Sequence, residues 1–247
     1  MNLRVIRQVL HTTDMVTRTV RRPDEPLRDF PLYTISEAAL YLGMSKATLR
    51  YWVADHPLWE IAGGDLPTIL LSFRDLTQAY YVEVVRHHYK LSLHKAREII
   101  AQAKKESRSK YPLLEDNILL FNRHVIMDKK ASKRHPRRLV DLTSNRQLAL
   151  APVIQPFATR VRWSTHGITQ IFPWRFWTGE SSDTSRPVSI SPEIMSGKLV
   201  VTGTRIPVEV IAERRDKRES FRSIARDYHL PEGSIRQALS HLVPKAA

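Results

Sequence analysis

Between Tyr33 and Trp52 the chain reads YTISEAALYLGMSKATLRYW, and its apolar residues fall twice at helical intervals with a break between. Ala38, Ala39 and Leu42 share one face of a first helix, and the two alanines let a second helix cross closely. Thr34 stands three residues before Glu37, the spacing at which a hydroxyl and a carboxylate satisfy each other's backbone donors at a helix start. Gly43 supplies the residue that tolerates positive φ where a helix must stop and turn. Ser45 caps the second helix, which buries Leu49 and Trp52. What is left outward is Ser45, Lys46, Thr48, Arg50 and Tyr51, a short, polar and basic face suited to a DNA groove. A buried helical hairpin would share the periodicity, but not the cap, turn and outward basic residues together.

The same pattern reading extends downstream. Leu58 to Leu71 has a turn signal, Gly63-Gly64-Asp65, between apolar stretches, and predicts a small hairpin or wing. Ser72 precedes Asp75 by three and opens a helix with Phe73, Leu76, Tyr80 and Val84 on one face. Ser92 caps another, whose stripe is Ala96, Ile99, Ile100 and Ala103. The cations around it (Arg86, Lys90, Lys95, Arg97, Lys104, Lys105, Arg108 and Lys110) read first as a solvated face, with phosphate contact as the competing role.

From residue 111 to 175 the periodicity shortens: ILLFNRHVIM, RLVDL, QLALAPVI, TRVRW and ITQIF are β-rich stretches separated by turn-prone or charged segments, which predicts a small antiparallel sheet. Between them DKKASKRHPRR, residues 128–138, is a basic run of solvated type. Trp163, Trp174 and Trp177 are expected as core or interface aromatics rather than stacking platforms. TGESSDTSRP, residues 178–187, reads as a linker. The last stretch begins with two short strands around a turn, with Gly197 and Gly203 at special backbone angles and Pro207 at a helix start. Ser220 caps a helix turning Phe221, Ile224, Ala225 and Tyr228 inward. His229 and Leu230 make a turn, and Pro231 opens a final helix bearing Ile235, Ala238, Leu239 and Leu242. A second helical pair results, although Gly233 inside its last helix costs about 1 kcal/mol against alanine.

Charge narrows the class of partner. The 247 residues carry 39 Lys and Arg against 25 Asp and Glu, a formal net charge of +14, a field that attracts polyanions. There is no cysteine, so disulfides, thiolate metal sites and a cysteine nucleophile are excluded. No apolar run is long enough to span a bilayer, and the basic N-terminus lacks a signal-peptide core; a soluble, cytoplasmic protein without membrane contact is expected. No catalytic constellation is present: G-x-S-x-G, the Walker loop, GxGxxG and H-E-x-x-H are all missing. His87 and His88 would diverge by about 100 degrees on a helix, poor geometry for one metal. Glu115, Asp116, Asp128 and Asp141 are too scattered to read as a magnesium-binding nuclease cluster. No enzyme, no metal and no cofactor is the expectation.

Two resemblances sharpen this. The order helix, turn, helix, wing, helix, helix, carried by YTISEAALYLGMSKATLRYW, SFRDL and KLSLHKAREII, resembles the DNA-binding domain of MerR-type regulators over about a third of the chain. The long dimerisation helix and effector site that follow this domain in MerR sensors are not evident. Near the other end, SPEIMSGKLVVTGTRIPVEVI and SIARDYHLPEGSIRQAL closely resemble a small domain often encoded beside PIN-like ribonuclease toxins. Joined to a MerR-like domain and a β-rich middle, it looks like the longer VapB-type antitoxins. The resemblance implies an antitoxin that neutralises a PIN-like ribonuclease and represses its own operon by binding duplex operator DNA. A stand-alone ligand-responsive transcription regulator is the alternative.

The layout expected is an α+β, mainly helical chain: an arm (1–32), a winged helix-turn-helix (33–110), a small central antiparallel sheet (111–177), a linker (178–187) and a C-terminal β-hairpin with three helices (188–247). Dimeric or higher assembly is expected from half-site pairing, with strand edges at Val188–Ile190, Leu199–Val201 or the central sheet available for pairing between chains. PIN-type nucleases, as the resemblance implies, hold magnesium with carboxylates, so cations of the last domain are the expected toxin contacts: Arg205, Arg214, Arg215, Lys217, Arg218 and Arg222. Arginine's planar fork suits carboxylates. DNA phosphate, or a helix C-terminus, remains the competing role for these residues.

Overall fold

The computed structural model describes residues 26–64, 67–88, 90–107, 109–114, 118–121, 124–129, 138–144, 146–148, 160–164, 167–173 and 185–242. The arm up to residue 25, most of the basic 128–138 run, Trp174, Trp177 and most of the 178–187 linker lie outside these residues. The fold is α+β and mainly helical, with small antiparallel sheets.

Strand β1 (Pro31–Thr34) leads directly into helix α1 (Ile35–Leu42), and Thr34 Oγ1 accepts from the Glu37 amide at 3.2 Å. Gly43 stops α1 with φ 67°, its amide reaching back to the carbonyls of Ala39 and Leu40, the left-handed ending that glycine permits. Ser45 caps the short helix α2 (Lys46–Arg50), which runs on as a π-turn through Tyr51–Asp55. Leu49 is 0% and Trp52 1% exposed, so the anchors expected of the second helix are its anchors.

The expected wing is a minimal one: the turn at Gly63-Gly64 is closed by one isolated antiparallel bridge, Gly63 to Leu70, and Asp65 and Leu66 lie outside the described residues. Strand β2 (Leu70–Ser72) pairs on its other side with β1. Trp59 and Ile61, in the first apolar stretch, sink into the core. Asp75 holds that loop by accepting from Trp59 Nε1 and the Ala62 amide, each at 3.0 Å. The same carboxylate completes a capping box with Ser72 at the start of α3 (Phe73–Glu83). One aspartate thereby satisfies four donors, which is what makes its complete burial tolerable.

Helix α3, expected to bury one face, is buried at every residue but Arg74, Thr77, Gln78 and Glu83 included. Helix α4 (Leu93–Ser107) keeps the expected stripe of Ala96, Ile99, Ile100 and Ala103, and the Lys95 amide bonds to Ser92 Oγ at 3.1 Å. The far side of α3 is covered by the middle of the chain, where the Tyr80 hydroxyl donates to the Phe172 carbonyl at 3.2 Å. That middle holds a four-stranded antiparallel meander, β3 (Ile118–Phe121), β4 (His124–Lys129), β5 (Arg138–Asp141) and β6 (Arg146–Leu148). A separate hairpin follows, β7 (Val161–Ser164) with β8 (Gly167–Ile171).

The C-terminal unit starts with β9 (Val188–Ser189) and β10 (Val200–Val201), which pair with each other. Ile190 exchanges two backbone bonds with Ile171, and Val200 bridges Pro207. These strands, expected to offer edges to another chain, are therefore engaged within this one. Helices α5 (Val208–Asp216), α6 (Phe221–Asp227) and α7 (Glu232–Leu242) complete the unit. Pro207 is the residue before α5 rather than its first. Ile235, Ala238, Leu239 and Leu242 are buried as expected.

This unit sits on α1. Ring Nε2 of buried His241 lies 3.0 Å from the Tyr41 carbonyl. Gly197, at φ 84°, meets Tyr33 so closely that a Cβ there would lie 2.1 Å from the Tyr33 hydroxyl. Glu37 is buried in this junction and accepts from the Tyr41 hydroxyl at 3.1 Å. Burial pushes its carboxyl up to about 7, opposed by the Tyr41 and Thr34 hydrogen bonds; Glu209 adds to the rise and Lys198 offsets it.

Candidate nucleic-acid interface

Helix α2 presents Ser45, Lys46, Ala47, Arg50 and Tyr51 to solvent, with Thr48 half-buried. Leu49 and Trp52 point the opposite way, and Arg86 lies over the Trp52 ring at 5.5 Å. The face predicted from sequence is assembled, though not every member is free. Ser45 Oγ accepts from the Thr48 amide at 3.0 Å and shares a 2.8 Å hydrogen bond with the Thr48 hydroxyl. These two hydroxyls, expected near base edges or phosphates, serve first as the helix cap. Lys46 makes no ion pair among the described residues. Arg50 Nε stands 3.5 Å from Asp55 Oδ1, and both side chains are about half exposed (56% and 48%). An exposed pair of this kind contributes roughly 0–1 kcal/mol, little enough for a phosphate or a guanine edge to displace.

Tyr51 is the exposed large hydrophobic residue among those described, at 37%. Its ring lies 4.6 Å from that of His56, and Arg97 hangs 6.0 Å above it while donating to the His56 carbonyl at 3.1 Å. Arg97, from α4, is thereby brought beside α2. The sequence shows Arg97 only as one of a basic cluster, because nothing local indicates which turn of α4 meets the π-turn. Lys95 in that cluster pairs with Glu98 at 2.6 Å, whereas Lys104 and Lys105 are exposed. A solvated face therefore describes part of the cluster, with Arg86 over Trp52 and Arg97 over Tyr51 as exceptions and Arg108 outside the described residues.

The six cations expected to meet a toxin divide in two. Arg205, Lys217, Arg218 and Arg222 are exposed. Arg214 turns inward instead, donating to Glu219 through Nε at 2.9 Å and pairing with Asp227, with its guanidinium 5.3 Å from the Tyr228 ring. These bonds hold the Glu219 and Asp227 carboxyls below their usual range. Arg215 donates to the Glu219 carbonyl and stacks on Phe221 at 4.1 Å, as does Arg236. The reason is local: the α5–α6 turn places Glu219 back against the end of α5. Phe221 and Tyr228, expected inward, are half-buried beneath these guanidiniums.

Comparison with known proteins bears on the end of the chain first. Residues 188–241 match a family model described as "Protein of unknown function (DUF433)". The C-terminal unit is a DUF433 domain. No curated protein matches the chain. Among solved structures it is similar to the X-ray crystal structure of Rv2018 from Mycobacterium tuberculosis, at 16% identity and a TM-score of 0.55, across 85% of this chain and 98% of that one. At that identity the likeness is one of fold. It takes in most of the chain and therefore reaches well beyond the DUF433 domain. Among the described residues, no helix is long and apolar enough to cross a membrane.

Proposed function

We propose that this chain is a DNA-binding repressor of antitoxin type, with α2 as the groove-reading element. The observation that carries the DNA part is the outward grouping of Lys46, Arg50 and Tyr51 on a helix whose other side is pinned by Leu49 and Trp52. Anchoring matters because groove contacts discriminate only when the backbone presenting them is fixed. Lys46 and Arg50 lie one turn apart, so both reach one groove, and Arg97 adds a cation at its edge. A bidentate arginine contact to guanine contributes about 1–3 kcal/mol of discrimination, whereas a phosphate contact weakens binding uniformly across sequences when lost.

The antitoxin part rests on the sequence resemblance of the C-terminal segment and on the exposed Arg205, Lys217, Arg218 and Arg222. Assembly as a dimer or higher oligomer belongs to the same reading, since one short helix makes a small DNA interface. The test is electrophoretic mobility or anisotropy with the full chain and its own promoter region, for wild type and the Lys46→Ala/Arg50→Ala double variant. Loss of at least about tenfold in affinity with an unchanged circular dichroism spectrum supports the reading. Equal affinity at moderate salt in a folded double variant removes α2 from the interface. Pull-down of a co-expressed PIN-like nuclease by the wild type, and its loss on Arg205→Ala/Arg222→Ala, tests the antitoxin part separately.

A further inference from the structure

A cleft of about 320 Å³ opens between the β7–β8 hairpin and the turn that follows β10. The hairpin contributes Arg162, Gln170 and Phe172, and the turn contributes Thr202, Gly203 and Arg205; among the described residues no carboxylate lines it. Arg186, just before β9, joins them from the side. The guanidiniums of Arg162 and Arg186 lie 5.8 and 4.9 Å from the centre of the Phe172 ring. Phe172 is itself fixed, 2% exposed, with its carbonyl held by the Tyr80 hydroxyl and its amide by the Arg160 carbonyl.

Two features are unexplained by the fold. Arg162 and Arg205 line the cleft, Arg186 meets Arg162 at the Phe172 ring, and none of the three has an ion-pair partner among the described residues. Arg50, Arg74, Arg214 and Arg236 have carboxylates within 4 Å, whereas these three, like the exposed Arg218 and Arg222, have none among the described residues. The hydroxyl of Thr202, a residue of the cleft wall, is buried and has no hydrogen-bond partner among the described residues. An orphaned buried hydroxyl costs about 1–3 kcal/mol, and like charges gathered around one ring repel. A ligand supplying oxygen acceptors and negative charge removes both penalties. By contrast, Thr204 is fully used, bonding the Val201 carbonyl and the Ile206 amide to shape the turn.

We propose that this cleft binds the phosphate of a small phosphorylated molecule, no larger than a nucleoside monophosphate. Phosphate is favoured over a carboxylate because two arginines on the cleft wall, with a third beside its aromatic floor, match a dianion better than a monoanion. Arginine forks also engage phosphate oxygens two at a time. The aromatic floor holds two of those forks by cation–π contact before the ligand arrives. The volume lies at the small end of the range for ligand pockets. Arg162 and Arg205 provide the paired donors, Thr202 turns its buried hydroxyl about the Cα–Cβ bond to donate to a third oxygen, and Gly203, with open space where a side chain would stand, leaves room for the ester. This site uses elements other than α2, and its test involves no promoter DNA, so it stands or falls apart from the repressor reading.

The experiment is isothermal titration of the full-length protein at fixed ionic strength with inorganic phosphate, adenosine 5′-monophosphate, adenosine and acetate. Phosphate and the monophosphate are expected to bind, and adenosine and acetate are not. Arg162→Ala and Arg205→Ala should each weaken binding by about tenfold or more, as loss of a charge-assisted hydrogen bond does. Thr202→Val, which keeps the shape and removes only the hydroxyl, should weaken it less. Arg226→Ala, which removes an exposed charge on α6, should leave it unchanged. If Arg162→Ala fails to fold, Arg205→Ala on its exposed turn and Thr202→Val still decide the matter. Absence of phosphate binding at millimolar concentration overturns the proposal, as does an equal loss in Arg226→Ala, which would mean diffuse charge. A short unphosphorylated duplex that displaces the monophosphate and depends on the same arginines would make the cleft a DNA backbone contact, and that result also overturns it.

Discussion

The chain contains two helical pairs built on nearly the same local pattern, and the fold uses them in opposite ways. Each pair has a serine cap, Ser45 or Ser220, and each has a turn residue in the left-handed region, Gly43 at φ 67° or His229 at φ 53°. In the first pair the second helix, α2, points its polar side outward. In the second pair the last helix, α7, is the longer and turns its far end inward, where His241 reaches the Tyr41 carbonyl on the first pair. The arginines beside the second pair are partly consumed: Arg214 by two carboxylates, Arg215 and Arg236 by Phe221. A helix-turn-helix pattern therefore says that two helices meet. Whether the second of them meets solvent depends on what else is free to cover it.

The largest test of this contrast strikes the place where the two pairs join. Gly197→Ala should destabilise the protein by roughly 3 kcal/mol, from left-handed backbone strain and a side chain forced against Tyr33. Chemical denaturation would read this, and a loss within about 0.5 kcal/mol would mean the junction yields easily. The same junction predicts a pH effect. Glu37 has a folded-state value near 7 against an ordinary 4.5, so the folded state holds the proton more tightly than the unfolded one. The stability from this group is complete below about pH 4.5 and is lost as pH rises through 7, by at most about 1.4 kcal/mol per pH unit. Glu83, raised to about 7 mainly by burial, adds a slope of the same sign. Comparing wild type with Glu37→Gln isolates the first group: the variant keeps an acceptor for Tyr41 and should show the shallower fall.

Smaller effects separate the two pairs themselves. Lys46→Ala/Arg50→Ala on the first pair should weaken promoter binding by about 1–3 kcal/mol. Neutralising Arg222 and Arg226 on the second should reproduce only the general salt-dependent loss. Anisotropy titrations at two salt concentrations compare them, and equal sequence-selective losses would place DNA reading on both pairs. Smallest is Arg214→Met, which removes the two ion pairs but keeps much of the packing on Tyr228. A small fall in melting temperature that shrinks with added salt is expected, because both carboxylate partners face solvent. A fall as large as that of Gly197→Ala would show that this arginine organises the α5–α6 turn.

Local signals in this chain were enough for whatever is decided within a few residues. Ser72 with Asp75, Ser92 with Lys95, Gly43, Gly197 and the stripe of Ala96, Ile99, Ile100 and Ala103 were all readable, because caps, positive φ and helical spacing are short-range constraints. So was the outward face of α2, since its polar and basic residues sit opposite Leu49 and Trp52. The turn signal at Gly63-Gly64 was readable too, while the burial of Trp59 and Ile61 and the reach of Asp75 across the loop were not. The burial of nearly all of α3, the inward turn of Arg214 and the meeting of Arg162 and Arg186 at Phe172 belong to tertiary structure alone. Each depends on which distant surfaces come together, and a residue's own neighbours in the chain carry no record of that choice.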